Sequence, residues 1–371
     1  MSGAREAGVE AKAVRRVVFC DRSYMRIFFV NCVSRASGEN TERLKPAVCE
    51  ARGPRGNPIG MTVDARSEQW YTRRKRDRWS ELDLERLPTE LRPNEGETLD
   101  LFLRKKVLLL QSRRGYRANT DSQILAYFAT RRREARGLSG DSEHRALDLG
   151  AGNALVSVLY GNHNRGANMQ LVELQGGLAA RAARNLALNG LVPRSTVVCH
   201  DLAHGLPSNT EGKMDVVLCN PPFYRDINSR SPPTRKEKLL AHFESSVDIV
   251  GFAKVAFEAL VEGSQTASAY FVYDAIHSER LYDGLMKGGL EIVTTQTVFH
   301  RLHHQPLRVL CEARRPQAGF EREELEPLVL HPEGTSEVEY GEDMEDFLGS
   351  LPIPQFIIGQ LRDDYQRTDE E

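Results

Sequence analysis

From Thr98 to Ala313, short apolar runs alternate with longer stretches in which apolar positions recur every three or four residues. Thr98–Leu103 and Val107–Gln111 read as two short strands joined by Arg104-Lys105-Lys106. Asp121–Thr130 reads as a helix with Thr120 as its N-cap. The apolar runs Ala146–Leu149, Met169–Leu174, Thr196–Cys199, Met214–Cys219 and Ser268–Asp274 predict five further strands. Between and after them, Ala154–Tyr160, Leu178–Asn189, Ser245–Val261 and Ser278–Lys287 predict helices. Glu291–Phe299 and Leu307–Ala313 close the pattern as a short antiparallel pair. Such regular alternation predicts an α/β fold whose mostly parallel sheet is covered on both faces.

The flanks differ from this centre. Residues 1–95 show no sustained periodicity and carry a basic cluster, Arg73-Arg74-Lys75-Arg76-Asp77-Arg78. They read as a poorly ordered N-terminal extension, with Met61 a second candidate start. The cluster reads first as a solvated charge run and second as an RNA-contacting arm. Residues 96–315 form the predicted catalytic domain, including the hairpin and the first helix. Residues 316–371 form an acidic C-terminal segment: 321–346 carry eleven acids and one Arg. Pro327-Leu328-Val329-Leu330 within it reads as an edge strand, followed by a frayed tail from about Asp363.

Composition narrows the class only modestly. The 371 residues carry 50 Lys+Arg against 52 Asp+Glu, so any nucleic-acid affinity must come from local patches. One such patch is 104–136, with ten basic residues against Asp121 and Glu134. The six cysteines show neither a Cys-x-x-Cys pair nor zinc spacing, and the histidines have no metal-ligand spacing with carboxylates, so no metal is expected. No apolar stretch reaches the roughly 20 residues of a membrane span. Glu6 and Glu10 argue against a transit peptide, which leaves a cytoplasmic location as the expectation.

The candidate chemistry lies at the ends of the predicted strands. Asp148-Leu149-Gly150-Ala151-Gly152-Asn153 joins the first core strand to a helix, and its glycines let the backbone turn tightly against a ligand. Leu155 stands where a dinucleotide fingerprint needs glycine, which counsels against NAD. Glu173 follows 21 residues after Gly152, the place of an acid that accepts hydrogen bonds from ribose hydroxyls. Asp201, after the third strand, suits a contact toward an adenine amino group. Asn220-Pro221-Pro222-Phe223-Tyr224 follows the fourth strand. The Asn220 side-chain oxygen and the Pro221 carbonyl can each accept from an NH₂ conjugated to a planar ring, favouring the pyramidal nitrogen of the transition state. The prolines stiffen the loop, and Phe223 or Tyr224 offers a stacking face. This order and spacing read as an S-adenosyl-L-methionine-dependent methyltransferase acting on a nitrogen attached to an sp² system.

The chain resembles the bacterial adenine-N6 methyltransferases that act on the anticodon loop of valine tRNA, within the wider Asn-Pro-Pro-Phe/Tyr class. The resemblance runs from about Thr98 to about Phe347. It covers the hairpin, Thr120-Asp121 with Ile124-Leu125, Asp148-Leu149-Gly150-Ala151-Gly152, Val172-Glu173-Leu174, Asn220-Pro221-Pro222-Phe223-Tyr224, Ala241-His242-Phe243-Glu244 and Pro327-Leu328-Val329-Leu330. It implies a Rossmann-like class I methyltransferase sheet, mostly parallel and seven-stranded with an antiparallel last strand. It implies that Asp148, Gly150, Gly152, Glu173, Asp201 and Asn220 bind cofactor, and that Asn220, Pro221, Pro222 and Phe223 or Tyr224 hold the base. The Phe-Tyr order, the N-terminal extension and the acidic C-terminal segment depart from the family pattern.

RNA, with tRNA first, is the expected partner. Arg104, Lys105, Lys106, Arg113, Arg114, Arg117, Arg235 and Lys236 are the candidate phosphate contacts. Arg301, His303, His304 and Arg308 form a secondary set. Guanine-N2 methylation of rRNA and glutamine-N5 methylation of protein keep the chemistry and change the acceptor. A non-catalytic RNA scaffold has no need of the cofactor acids.

Overall fold

The computed structural model describes residues 84–114, 117–208, 210–222, 247–317, 319, 321–334 and 339–357. The N-terminal basic cluster, Phe223, Tyr224, the segment 225–244 with Arg235 and Lys236, and the frayed tail therefore lie outside the described residues.

Eight strands form the central sheet: β3 (His144–Leu149), β4 (Ala167–Glu173), β5 (Ser195–Cys199), β6 (Val216–Cys219), β7 (Ser268–Asp274), β8 (Glu291–Phe299), β9 (Pro306–Arg314) and β10 (Glu323–Val329). Their order is β10-β8-β9-β7-β6-β3-β4-β5. All pairings are parallel except those of β9, which runs against both β7 and β8. Seven strands were expected in the core, with Pro327–Leu330 as a further edge strand; that edge strand is β10, which starts earlier, at Glu323, and pairs in parallel with β8. The closing pair is nine residues long in each strand, not short.

Inward-facing positions alternate along the strands because the side-chain period is two. Ala146, Met169, Leu171, Val216, Leu218, Tyr270 and Val272 face one core. Leu147, Leu149, Val172, Val217, Cys219, Phe271 and Tyr273 face the other. The first core is covered by α1 (Thr120–Glu134), α2 (Leu155–His163) and α3 (Gly176–Leu188), the second by α4 (Ile249–Ala259) and α5 (Ser278–Lys287). The cap of α1 is Asn119 rather than Thr120, and it makes no side-chain capping bond.

A separate hairpin, β1 (Glu97–Phe102) and β2 (Val107–Ser112), packs on α3. The open backbone edge of β2 would be costly to bury unpaired. Two asparagines at the end of α3 satisfy it. Asn185 accepts from Leu110 N (2.7 Å) and donates to Leu110 O (3.1 Å), and Asn189 does the same at Leu108 (3.1 and 2.7 Å).

Packing reaches past both expected boundaries. Leu87 and Leu91 join a small cluster with Leu99, Leu108, Leu110, Leu188 and Ile357. The acidic segment contains α6 (Glu342–Gly349), whose Met344, Phe347 and Leu348 enter the main core. Phe347 meets Tyr127 edge-on and stacks on His163. Among the described residues, no helix is long and apolar enough to cross a membrane, and no group of His, Cys, Asp and Glu is placed to hold a metal ion.

Candidate active site

The order of the sheet reverses at β3, which lies between β4 and β6. Open α/β sheets leave a crevice at the carboxyl ends of their strands at such a point. A cleft lies there, lined by Asp148, Gly150, Gly152, Glu173, Asp201, Asn220 and Pro222 among others. Residues far apart in the sequence thus meet in one place. Pro221 is buried beside them.

The turn after β3 is built for close approach. Gly150 and Gly152 hold φ of +70° and +57°, and Ala154, the cap of α2, holds +68° without being glycine. A left-handed alanine costs about 1–2 kcal/mol. Gly150 N and Ala151 N both donate to Val172 O, at 2.9 and 3.0 Å, which ties this turn to the end of β4. Glu173 takes up the next donors: its two carboxylate oxygens accept from Gly152 N (2.9 Å) and Gln175 N (2.8 Å). These bonds fix the orientation of the carboxylate. Asp201 caps the short 3-10 turn Leu202–His204, accepting from Ala203 N at 2.9 Å.

Asp148 is 3% exposed and accepts from Ser157 Oγ at 2.6 Å. Burial pushes its carboxyl up to about 7, with the charge of Glu173 acting in the same direction and the Ser157 bond against it. A cation placed against it would reverse that displacement. Cys219 precedes Asn220, and burial, with the charge of Asp148, raises its thiol well above the ordinary range. It is a packing residue and not a nucleophile.

The strand-end pattern did not single out several further lining residues: Ser122 on α1, Asn153, Gln175, His200 and Phe252 on α4. Ser122 follows the Thr120-Asp121 pair, a usable signal. Phe252 comes from another layer and had none. The Asn153 amide nitrogen is buried and, among the described residues, has no hydrogen-bond partner. Its own carbonyl accepts from Asn185 Nδ2 (2.8 Å), so α3 braces both the hairpin and the glycine turn after β3.

Among the described residues, the candidate RNA contacts fall at the two ends of the hairpin. Arg104, Lys105 and Lys106 occupy the turn of the hairpin, where Arg104 bonds Glu345 (3.0 Å) and Lys106 donates to Leu351 O (3.0 Å). Arg113, Arg114 and Arg117 follow the other end of β2, about 20 Å away at the usual strand rise, on the side where α1 begins. Arg113 donates to Glu97 O (3.0 Å), and Arg117 is ion-paired with Asp100. Much of the remaining basic stretch is consumed inside the fold. Arg132 and Arg136 pair with Glu312, which is fully buried and also bonded by Arg314 and Ser268. Burial alone would raise the Glu312 carboxyl, but Arg136 and its neighbours hold it below the ordinary value. Arg308 bonds Asp121 (2.8 Å) at the start of α1, and its guanidinium lies 3.9 Å from Asp274 at the end of β7.

The acid set and the orphaned Asn153 donor fit a nucleoside that carries positive charge and polar substituents, such as S-adenosylmethionine. A switch-point cleft of this composition, on a sheet with one reversed strand next to its edge pair, is that of a class I S-adenosylmethionine-dependent methyltransferase. Residues 135–239 match the model of the methyltransferase small domain. A curated tRNA1(Val) (adenine(37)-N6)-methyltransferase of Dyadobacter fermentans is 26% identical over 175 residues, 47% of this chain and 69% of that protein. The protein of the same name from Porphyromonas gingivalis is 24% identical over 239 residues, 63% of this chain and 88% of that one. Ribosomal RNA large subunit methyltransferase G of Pseudomonas aeruginosa is 36% identical over 81 residues, 22% of this chain and 21% of that protein.

Proposed function

We propose that this protein methylates the exocyclic N6 amino group of an adenine in RNA, with tRNA as the RNA, in the cytoplasm. The observation that carries the reading is the convergence of Asn220 and Pro222 with Asp148, Glu173 and Asp201 in one cleft. Matched relatives named for adenine-N6 methylation of tRNA support the choice of acceptor over guanine-N2 or a protein amide.

Bound there, S-adenosylmethionine supplies an electrophilic methyl group on a sulfonium. Asp148 faces the methionine end and, once ionised, balances its ammonium. Glu173, already oriented by two backbone amides, accepts from the ribose hydroxyls. Asp201 accepts from the adenine amino group of the cofactor. Gly150 and Gly152 let the backbone come close without side chains intervening. Asn220 Oδ1 and the Pro221 carbonyl hold the two hydrogens of the target NH₂, drawing its lone pair out of conjugation. Pro222 keeps this loop stiff. Phe223 or Tyr224 is assigned the stacking of the flipped base. The neutral product nitrogen forms when the proton leaves after transfer, so no strongly shifted general base is required.

In domain terms, residues 1–95 are proposed as an extension to a catalytic unit at 96–315, and 316–371 as an acidic segment that lends this unit β10 and α6. The experiment is methylation of unmodified tRNA by the purified protein with isotopically labelled cofactor, followed by nucleoside mass spectrometry. N6-methyladenosine is the expected product. N2-methylguanosine would move the acceptor to guanine, and ribonuclease-resistant label on protein would overturn the RNA reading.

A further inference from the structure

The connection between β8 and β9 has no part in the proposed methyl transfer, yet it is extensively braced. His304 N donates to Arg301 O at 2.9 Å, closing a tight turn. Arg301 donates to Pro332 O at 3.0 Å, and His331 N to His300 O at 3.0 Å, so the turn is stitched to the chain after β10. Upon this frame four rings stand in a row. His304 stacks on His300 with centroids 5.6 Å apart and planes 16° apart. His300 meets His331 at a tilt, 4.6 Å and 59°, and His331 stacks on Tyr340 at 5.1 Å and 22°. The inner members are anchored: His331 is 5% exposed, and its Nδ1 bonds the Glu339 carbonyl at 2.7 Å. The outermost ring, His304, is exposed. Beside it Leu302 presents 57% of its surface to solvent.

The row stands on the side of the sheet where the cleft opens. Arg308, near the start of β9, is registered with Asp274 at the end of β7. The adjacent strand, β6, leads into Asn220, and Arg308 also bonds Asp121, next to the cleft residue Ser122. Strand spacing and rise put the turn on the order of 15–20 Å from Asn220. That is beyond the reach of the reacting base and within reach of nucleotides a few positions away along the same strand. Aromatic rings braced from behind and open in front are what unpaired bases stack on, since every base has a π-face.

We propose that the outward face of His304 is a stacking platform for an unpaired base of the RNA substrate, flanking the base that enters the cleft. The platform sets which loop nucleotides lie in register with the methylated position. This inference rests on the reading of the protein as an RNA methyltransferase. His304 is a positioning residue, with no contact to the reacting atoms.

The test uses the full chain and two fluorescein-labelled RNAs: a hairpin with a seven-nucleotide loop, and a blunt duplex of the same stem. His304→Ala should weaken hairpin binding roughly five- to hundredfold, the range expected for one lost stacking contact. His304→Phe should restore it, and duplex binding should be the same for all three proteins. In turnover assays His304→Ala should raise KM for tRNA, with kcat and cofactor affinity unchanged. Equal hairpin affinity of wild type and His304→Ala would overturn the platform while leaving RNA methylation in place. Failure of His304→Phe to restore binding would also overturn it, because a ring charge rather than a stacking face would then be responsible. A wild-type protein that binds neither RNA and labels none overturns the functional reading itself, and the platform with it.

Discussion

Replacing Asp148 by asparagine isolates the electrostatic cost of the cofactor site. Asp148 is fully enclosed, and its carboxyl is displaced from 3.8 to about 7 by burial and by Glu173. The folded protein therefore keeps a proton that the unfolded chain releases between those two values. The stability contribution is fully present below pH 3.8, declines as pH rises, and is lost once pH passes the folded value near 7. At 1.36 kcal/mol per pH unit the whole displacement amounts to about 4 kcal/mol, of which more than half develops between pH 5 and 8.5. The substituted amide would carry no charge and would still accept the Ser157 hydroxyl. Asp148→Asn is thus expected to gain on wild type by about 2–3 kcal/mol between these pH values. Urea unfolding of both proteins without cofactor, at pH 5 and 8.5, measures the change, and other titrating groups cancel in the difference. A stability difference that does not grow with pH would refute the argument. The counterpart is cofactor affinity. On the proposed binding mode, wild type should bind S-adenosylmethionine about five- to eightfold more tightly at pH 7.5 than at pH 6, and Asp148→Asn should lose that dependence together with most of the affinity.

Three further outcomes are expected. Asn220→Ala should abolish transfer and leave cofactor binding by calorimetry nearly intact; retained turnover would contradict the role given to its side-chain oxygen. Asn185→Leu should cost about 2–4 kcal/mol in urea unfolding, because the backbone groups of Leu110 and the Asn153 carbonyl lose their buried partner, and cofactor affinity should fall with it. Charge reversal at Arg113 and Arg114 should weaken RNA binding and flatten its salt dependence, while reversal at Arg104 and Lys105, at the other end of the hairpin, should do neither. Equal salt slopes for the two pairs of substitutions would place the docking surface elsewhere.

Asp148, Glu173, Asp201 and Asn220 were legible because each lies at or just past the end of a short apolar run, and a strand's end is set by local pattern. When the strands are parallel, their carboxyl ends gather at one edge of the sheet, so motifs far apart in sequence meet without further information. Ser268–Asp274, Ser278–Lys287 and Glu291–Phe299 were readable to the residue for the same reason, since periodicity and flanking turn residues are local.

What periodicity does not carry is pairing between distant polar groups. The basic stretch 104–136 reads as a patch of surplus charge. In three dimensions Arg117 meets Asp100, Arg132 meets Glu312 and Glu323, and Arg136 meets Glu312. In the acidic segment the edge strand was legible around Pro327–Leu330, but not its parallel partner β8, nor the place Phe347 finds between Tyr127 and His163. Asn185 and Asn189 look like polar residues of an amphipathic helix, and only the approach of β2 makes them its hydrogen-bond partners. The sequence by itself determined the strand ends, the acids upon them and the chemistry they imply, because these depend on neighbours in the chain. The tertiary structure decided which basic side chains are neutralised inside the fold. It also decided which polar groups brace the glycine turn after β3 and which rings gather at the turn between β8 and β9, because those depend on burial against partners far away in the chain.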